Sequence, residues 1–307
     1  MKKNLIQRLT MPLPELEAYY CERRKYQFKQ GKNLRYIRLR KVFYPLFAMF
    51  LMLDRTFRRQ TITVLGKRKN IKEPVIYACT HIGENDLENI YEVLHQGCWW
   101  FIGDPCVLYK SISGLLVYLN GCIMLETDNK EDRQIAYLRA VELLKGGGSL
   151  MIFPEGARNG TENLPVMELF PGTAKMAMDT DTKIVPIAIE QYGKRFVINF
   201  GSELLPKNFQ NYVELTQTLR DVLATLKWEI WEREPLQSRD RLPENYGELF
   251  IKEFEARIYP YDTLETIEQT RYYGKISTPE EAFAHLRQLI PCKENAFLFR
   301  KNWIFKN

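Results

Sequence analysis

Short apolar runs of four to eight residues recur through the middle of the chain, separated by polar or glycine-bearing turns. They read as buried strands. Seven stand out: Thr61 to Leu65, Val75 to Cys79, Trp99 to Gly103, Cys122 to Leu125, Ser149 to Phe153, Lys183 to Glu190 and Arg195 to Phe200. Between them the spacing turns helical. Asp86 to Gln96 predicts a helix closed by Gly97. Asp128-Asn129-Lys130-Glu131 has capping-box spacing and opens a helix running to about Lys145, ended by Gly146, Gly147 and Gly148. Strands alternating with helices predict an α/β fold on a mixed, largely parallel central sheet flanked by helices.

The two ends depart from this pattern. Residues 42–53 form an uncharged apolar run containing Pro45, well short of the roughly 20 residues that a membrane-spanning helix needs. Basic residues flank it, Arg35, Arg38, Arg40 and Lys41 before, Arg55, Arg58 and Arg59 after. The combination predicts a helix or kinked helix pair lying in a membrane interface, cations on anionic headgroups. A core helix with a solvated basic end is the alternative. After about residue 205 the pattern is helical: Val213 to Glu232, Gly247 to Arg257, and a helix opened by Pro279 after Thr278 that holds Glu280, Glu281 and His285. The chain thus divides into a basic, amphipathic membrane-associating region at 1–60, an α/β domain at 61–205 and a helical C-terminal extension at 206–307.

Charge sharpens the first of these. The net charge is +6, yet residues 1–70 hold 18 Lys/Arg against 4 Asp/Glu, leaving 26 basic and 34 acidic residues elsewhere. Because the aromatics there sit in a compact apolar block, an anionic membrane surface fits better than nucleic acid, which wants dispersed stacking platforms. A hydrophobic fraction of 45% with 27% charged residues excludes wholesale disorder. Six scattered cysteines without a C-x-x-C pair suggest buried, reduced thiols of a cytosolic protein. Three histidines, His81, His95 and His285, exclude a zinc cluster of the usual spacing, and no metal site is expected. Met1-Lys2-Lys3-Asn4-Leu5, soon interrupted by Arg8 and Pro12, is too polar for a secretory signal.

Two strand-end loops carry candidate chemistry. Thr80-His81-Ile82-Gly83-Glu84-Asn85-Asp86 follows the second strand, and Pro154-Glu155-Gly156-Ala157-Arg158-Asn159-Gly160 follows the fifth. Parallel strands would bring both loops to the sheet edge where open α/β folds place their ligands. The reaction they suit is acyl transfer. His81 would take the proton of an acceptor hydroxyl attacking a thioester, with Asp86 fixing the imidazole tautomer and stabilising the imidazolium. Backbone N–H groups near the loops would hold the oxyanion, Gly156 would permit close approach, and Arg158 would bind an anionic group. Glu155 reads either as a substrate contact or as a structural carboxylate accepting backbone N–H bonds. A hydrolase would want G-x-S-x-G and a nucleotide enzyme a glycine-rich phosphate loop; neither motif occurs. Cys79, His95, His285, Trp99 and Trp100 read as packing or surface positions.

These blocks resemble the glycerolipid acyltransferase family, the lysophosphatidate (1-acylglycerol-3-phosphate) acyltransferases and their relatives. Its first block, His and Asp separated by four residues, is met by His81 and Asp86. Phe153, Pro154, Glu155, Gly156 and Arg158 meet the third, and Ile184-Val185-Pro186-Ile187-Ala188 the fourth. Phe170-Pro171-Gly172-Thr173-Ala174-Lys175 resembles the family's helix start between them. The resemblance covers roughly residues 60–205 and implies an O-acyltransferase of phospholipid biosynthesis with the glycerolipid acyltransferase-like fold. It further implies His81 as general base oriented by Asp86, substrate contacts at Gly83, Thr127, Glu155, Gly156 and Arg158, and no metal or redox cofactor. Acyl-CoA or acyl-ACP would be the co-substrate, acyl carrier protein thereby a candidate partner, and a lysophospholipid-like lipid the acceptor. The expected location is cytoplasmic, peripheral or monotopic at the inner face of the membrane. Two positions depart from the family: Thr127 stands in place of an arginine assigned to acceptor phosphate, and Gly83 in place of a frequent serine. The first implies a non-phosphate amphiphilic acceptor or a substitute cation. The rival outside enzymes is a membrane-surface lipid-binding protein on a decayed acyltransferase scaffold.

Overall fold

The computed structural model describes residues 3–31, 34, 37–66, 71, 74–83, 85–161, 164–234, 242–256, 263–272 and 274. The helix expected at Pro279, with His285 and Cys292, lies outside them, as do Arg35 and Glu84.

All seven apolar runs are strands: β1 (Thr61–Leu65), β2 (Ile76–Cys79), β3 (Trp99–Gly103), β4 (Cys122–Leu125), β5 (Leu150–Ile152), β6 (Ile184–Tyr192) and β7 (Arg195–Phe200). They form a seven-stranded sheet in the order β1-β7-β6-β2-β5-β3-β4. Only the β6–β7 hairpin is antiparallel, so the sheet is mixed and largely parallel. The central strands are buried on both faces, which is why their sequences read as continuous apolar runs. Along β2, Ile76 and Ala78 enter one hydrophobic cluster while Tyr77 and Cys79 enter the other.

Helices cover both faces. At the amino end lie α1 (Leu5–Thr10), α2 (Leu13–Lys29) and α3 (Ile37–Arg40). On one side of the sheet α4 (Tyr44–Phe57), α5 (Asp86–Leu94) and α6 (Ile112–Asn120) contribute Phe47, Leu51, Ile90, Tyr91 and Val117 to a shared core. On the other lie α7 (Lys130–Lys145), α8 (Gly172–Thr180) and α9 (Tyr212–Trp231), with Ala136, Ala140, Ala177, Leu219 and Leu223 inward. Finally α10 (Tyr246–Glu255) and α11 (Leu264–Thr270) place Phe250, Phe254 and Ile267 against Ala157, Met167 and Leu226.

Local expectations needed adjustment in two places. Helix α5 ends at Leu94, and His95 rather than Gly97 turns the chain, in the left-handed region at φ 53°. The cap of α7 is Asn129, whose side chain accepts Asp132 N at 3.0 Å, one residue later than the expected box. Asp132 is fully buried and its carboxylate is engaged by Glu126 N at 2.8 Å and by Arg24 of α2. Of the two forms expected for residues 42–53, a helix or a kinked helix pair, the stretch from Tyr44 on is a single helix after a 3-10 turn at Lys41–Phe43, because Pro45 falls in the first turn of α4, where its missing N–H costs nothing. No helix among the described residues is long and apolar enough to cross a membrane.

Candidate active site

Parallel pairing of β2 with β5 and β6 brings the loops after β2 and β5 to one edge. His81 stands two residues past β2. Its Nδ1 lies 2.8 Å from Asp86 Oδ2, and Asp86 is fully buried in the first turn of α5. The same oxygen accepts Ile82 N at 2.5 Å and Gly83 N at 2.8 Å. Three donors therefore converge on one carboxylate oxygen, fixing the loop against the helix N-terminus, where a negative charge is favoured. With Nδ1–H donating to Asp86, the proton-accepting nitrogen of a neutral His81 is Nε2. Phe153 stacks on the imidazole at 4.1 Å between ring centroids, so the orientation is held by packing as well as by hydrogen bonding.

Glu155 joins the second loop to the first. It is fully buried, and its oxygens accept His81 N at 3.2 Å and Met167 N at 2.8 Å. Burial pushes its carboxyl up to about 7, against the opposing pull of these two N–H bonds and of the Lys227 and Arg271 charges. Of the two readings of Glu155, this geometry describes the structural carboxylate. Asn159 N completes the link by donating to His81 O at 2.8 Å. The N–H groups of His81, Ile82, Gly83, Gly156 and Asn159 are thus all engaged within the protein. Gly156 has φ 69°, and a Cβ there would fall 2.3 Å from Phe170 Cε2, so both conformation and space require glycine. Arg158 is half-buried in the same loop.

Thr127 lies beyond β4, which is separated from β2 by β5 and β3, about 14 Å across the sheet at the usual strand spacing. Its N–H and hydroxyl both bond Asp104, at 2.8 and 2.6 Å. Two arginines stand nearby. Arg24 is committed to Asp132, Tyr109 and Glu126 at 2.9, 2.7 and 3.0 Å. Arg133 is exposed and donates to Thr127 O.

A layer behind the loops escaped sequence reasoning. Lys227 of α9, fully buried, donates to Glu190 Oε2 at 2.7 Å and Ile189 O at 3.0 Å, and Trp231 Nε1 donates to the same Glu190 oxygen at 2.7 Å. Ile189 N in turn bonds the hydroxyl of Thr80, beside His81, at 3.0 Å. The signal was present: Lys227 interrupts the apolar stripe Leu219, Leu223, Leu226 and Ile230.

The profile of the Acyltransferase family matches residues 60–190. A Saccharomyces cerevisiae 1-acyl-sn-glycerol-3-phosphate acyltransferase is 23% identical over 150 residues, 48% of this chain and 47% of that protein. One of the same name from Borreliella burgdorferi is 25% identical over 130 residues, 42% of this chain and 48% of that one. The chain thus spans about half the length of these curated relatives. The crystal structure of the 1-acyl-sn-glycerophosphate acyltransferase PlsC from Thermotoga maritima superposes with a TM-score of 0.53 at 18% identity, covering 76% of this chain and 98% of that one. That likeness establishes the shared fold.

Proposed function

Residues 60–190 match the Acyltransferase family, and on that match together with the site geometry we propose that the chain is a glycerolipid acyltransferase that transfers a fatty acyl group from an acyl thioester to a lipid hydroxyl. The observation that carries the reading is the His81–Asp86 pair at the end of β2, 2.8 Å apart, with Asp86 fixed by two backbone N–H bonds. His81 Nε2 removes the hydroxyl proton as the acceptor oxygen attacks the thioester carbonyl. Asp86 stabilises the imidazolium until the proton passes to the departing thiolate. Glu155 does not touch the reacting atoms in this scheme; it ties the Gly156–Arg158 segment to His81. Arg158 binds an anionic group of a substrate. The donor is acyl-CoA or acyl-ACP, and the apolar, basic region through residue 60 holds the protein at the anionic cytoplasmic face of a membrane.

The acceptor is a lysophospholipid-like molecule. A phosphate-free amphiphile is the second reading, favoured by Thr127, which is bonded to Asp104 rather than presenting a cation. Both are tested by incubating purified protein with acyl-CoA or acyl-ACP and lysolipids with and without phosphate, reading products by mass spectrometry. Strict phosphate dependence selects the first acceptor class, equal use the second. His81→Ala and Asp86→Asn should lower kcat by about 10²–10⁴ with little change in KM; full transfer by His81→Ala would overturn the mechanism.

A further inference from the structure

Large apolar side chains are exposed on the neighbouring helices α4 and α6, as they also are at the amino end on Ile6, Leu9, Leu13 and Tyr26. On α4, Leu46, Met49, Phe50, Leu53 and Phe57 form an outward stripe, opposite the buried Phe47 and Leu51. On α6, Leu115, Tyr118 and Leu119 do the same, with exposures of 59, 61 and 43%, while Gly114, Val117 and Asn120 turn inward. A surface helix normally keeps one polar face; α6 carries apolar residues on both. The two helices touch and share one core cluster on the same side of the sheet. Arg40, at the end of α3, fastens to the carboxyl end of α6: its guanidinium lies 5.1 Å from the Tyr118 ring and donates to the Tyr118 and Leu119 carbonyls. An apolar patch built from two packed helices is larger than scattered exposed residues explain.

Resting on the membrane reading above, we infer that α6, inside the acyltransferase domain, is a second membrane-contacting element that joins α4 in one docking face for an anionic lipid surface. Charge selects this occupant over a second copy of the chain. Residues 35–59 hold seven basic residues against one acid, Asp54; Asp54 is paired with Arg58 at 2.9 Å and Arg55 with Glu92 of α5 at 2.8 Å, and the segment stays basic after both pairs are counted. Two copies of a chain with so basic a segment would repel there, whereas anionic headgroups would be attracted. The face also adjoins the candidate site. The chain leaves α4 through Phe57, 92% exposed, and reaches Gln60, whose amide bonds Asn85 beside Asp86 at 2.9 Å. Helix α6 starts beyond the carboxyl end of β3, the edge that carries His81. A bilayer on this face would bring lipid acceptors to the mouth of the site.

The test is co-sedimentation of the full chain with vesicles of phosphatidylcholine and phosphatidylglycerol, alongside turnover of a short-chain lysolipid below its micellar concentration. Leu115→Ser/Leu119→Ser should weaken vesicle binding about tenfold or more and leave turnover of the monomeric acceptor unchanged, which also reports intact folding. A single Leu115→Ser should show the same effect, smaller, if the double variant folds poorly. Phe50→Ser/Leu53→Ser on α4 is the control. Wild-type binding by the α6 variants alone overturns this inference and spares the α4 reading; wild-type binding by both sinks the membrane reading itself. A wild-type dimer converted to monomer by the α6 change, with vesicle binding intact, would also overturn it by making the face a protein interface.

Discussion

Replacing Glu155 with glutamine isolates what the buried carboxyl does. The side chain keeps its shape, but only one terminal atom can still accept an N–H, so either His81 N or Met167 N loses its partner. Glutamine also has no charge to titrate. In the native protein burial raises the Glu155 carboxyl from 4.5 to about 7, which at about 1.4 kcal/mol per pH unit amounts to about 3 kcal/mol. The sign follows from a raised folded-state pKa. The folded protein holds the proton more tightly than the unfolded chain, so this stabilisation is fully present below the unfolded value. It is lost as pH rises through about 7. Urea unfolding of both proteins from pH 4 to 8, followed by circular dichroism, should therefore show the wild type losing about 3 kcal/mol relative to Glu155→Gln. At pH 8 the variant should be at least as stable as the wild type yet slower by about tenfold or more, because the two loops are no longer tied. A stability difference flat with pH to within about 0.5 kcal/mol would refute the assignment, since an ionisation this perturbed cannot leave unfolding unchanged.

Three further outcomes follow. Gly156→Ala must place a Cβ at φ 69°, 2.3 Å from Phe170, and should cost about 2–3 kcal/mol of unfolding free energy; in a Phe170→Ala background only the backbone strain, about 1–2 kcal/mol, should remain. Lys227→Met leaves the buried Glu190 carboxylate without its ammonium and should lower stability by about 3–5 kcal/mol in chemical denaturation. His95→Gly relieves a left-handed residue at φ 53° that is exposed and should raise stability by about 0.5–1 kcal/mol in the same assay, with turnover unchanged.

The sheet was readable because its strands are buried on both faces, so each appears as an unbroken apolar run bounded by turns. Helix α6 was not readable for the opposite reason. With Leu115, Tyr118 and Leu119 outside and Val117 inside, it offers no polar face and hence no helical period. The end of α5 was misplaced because glycine is the default left-handed residue, yet His95 takes that role with Gly97 two residues away. At the site, His81, Asp86 and the 154–160 loop declared themselves by spacing. Met167, Lys227 and Trp231 did not: Met167 meets Glu155 through a backbone N–H, while Lys227 and Trp231 sit a layer behind the loops on Glu190, through a buried charge and an indole, none of which forms a motif. Glu155 illustrates the limit most clearly: its presence was legible, but whether it faced substrate or backbone depended on Met167 N, twelve residues on.

The family match ends at residue 190, but the surroundings of the two loops do not. A Cβ on Gly160 would meet Leu264 at 2.8 Å and Phe254 at 3.0 Å, and Phe170, which sits over Gly156, packs its ring tilted against Tyr272 at 4.7 Å between centroids. Helices α9 to α11 are therefore the back wall of the loop that carries Arg158. At the other end, Arg24 of α2 organises Asp132, Glu126 and Tyr109 next to Thr127. The His81–Asp86 pair is held from within residues 60–190, by β2, α5 and the loop of Phe153, Glu155 and Asn159, whereas the loop of Arg158 is backed by segments outside the match. Thr127 is fixed by Asp104 within the match, with Arg24 from outside it ordering the neighbouring Glu126 and Asp132. If the acyl transfer proposed above holds, a change in α2 or in α9 to α11 should alter acceptor use while leaving the His81–Asp86 distance in place, which product analysis of such variants reads directly.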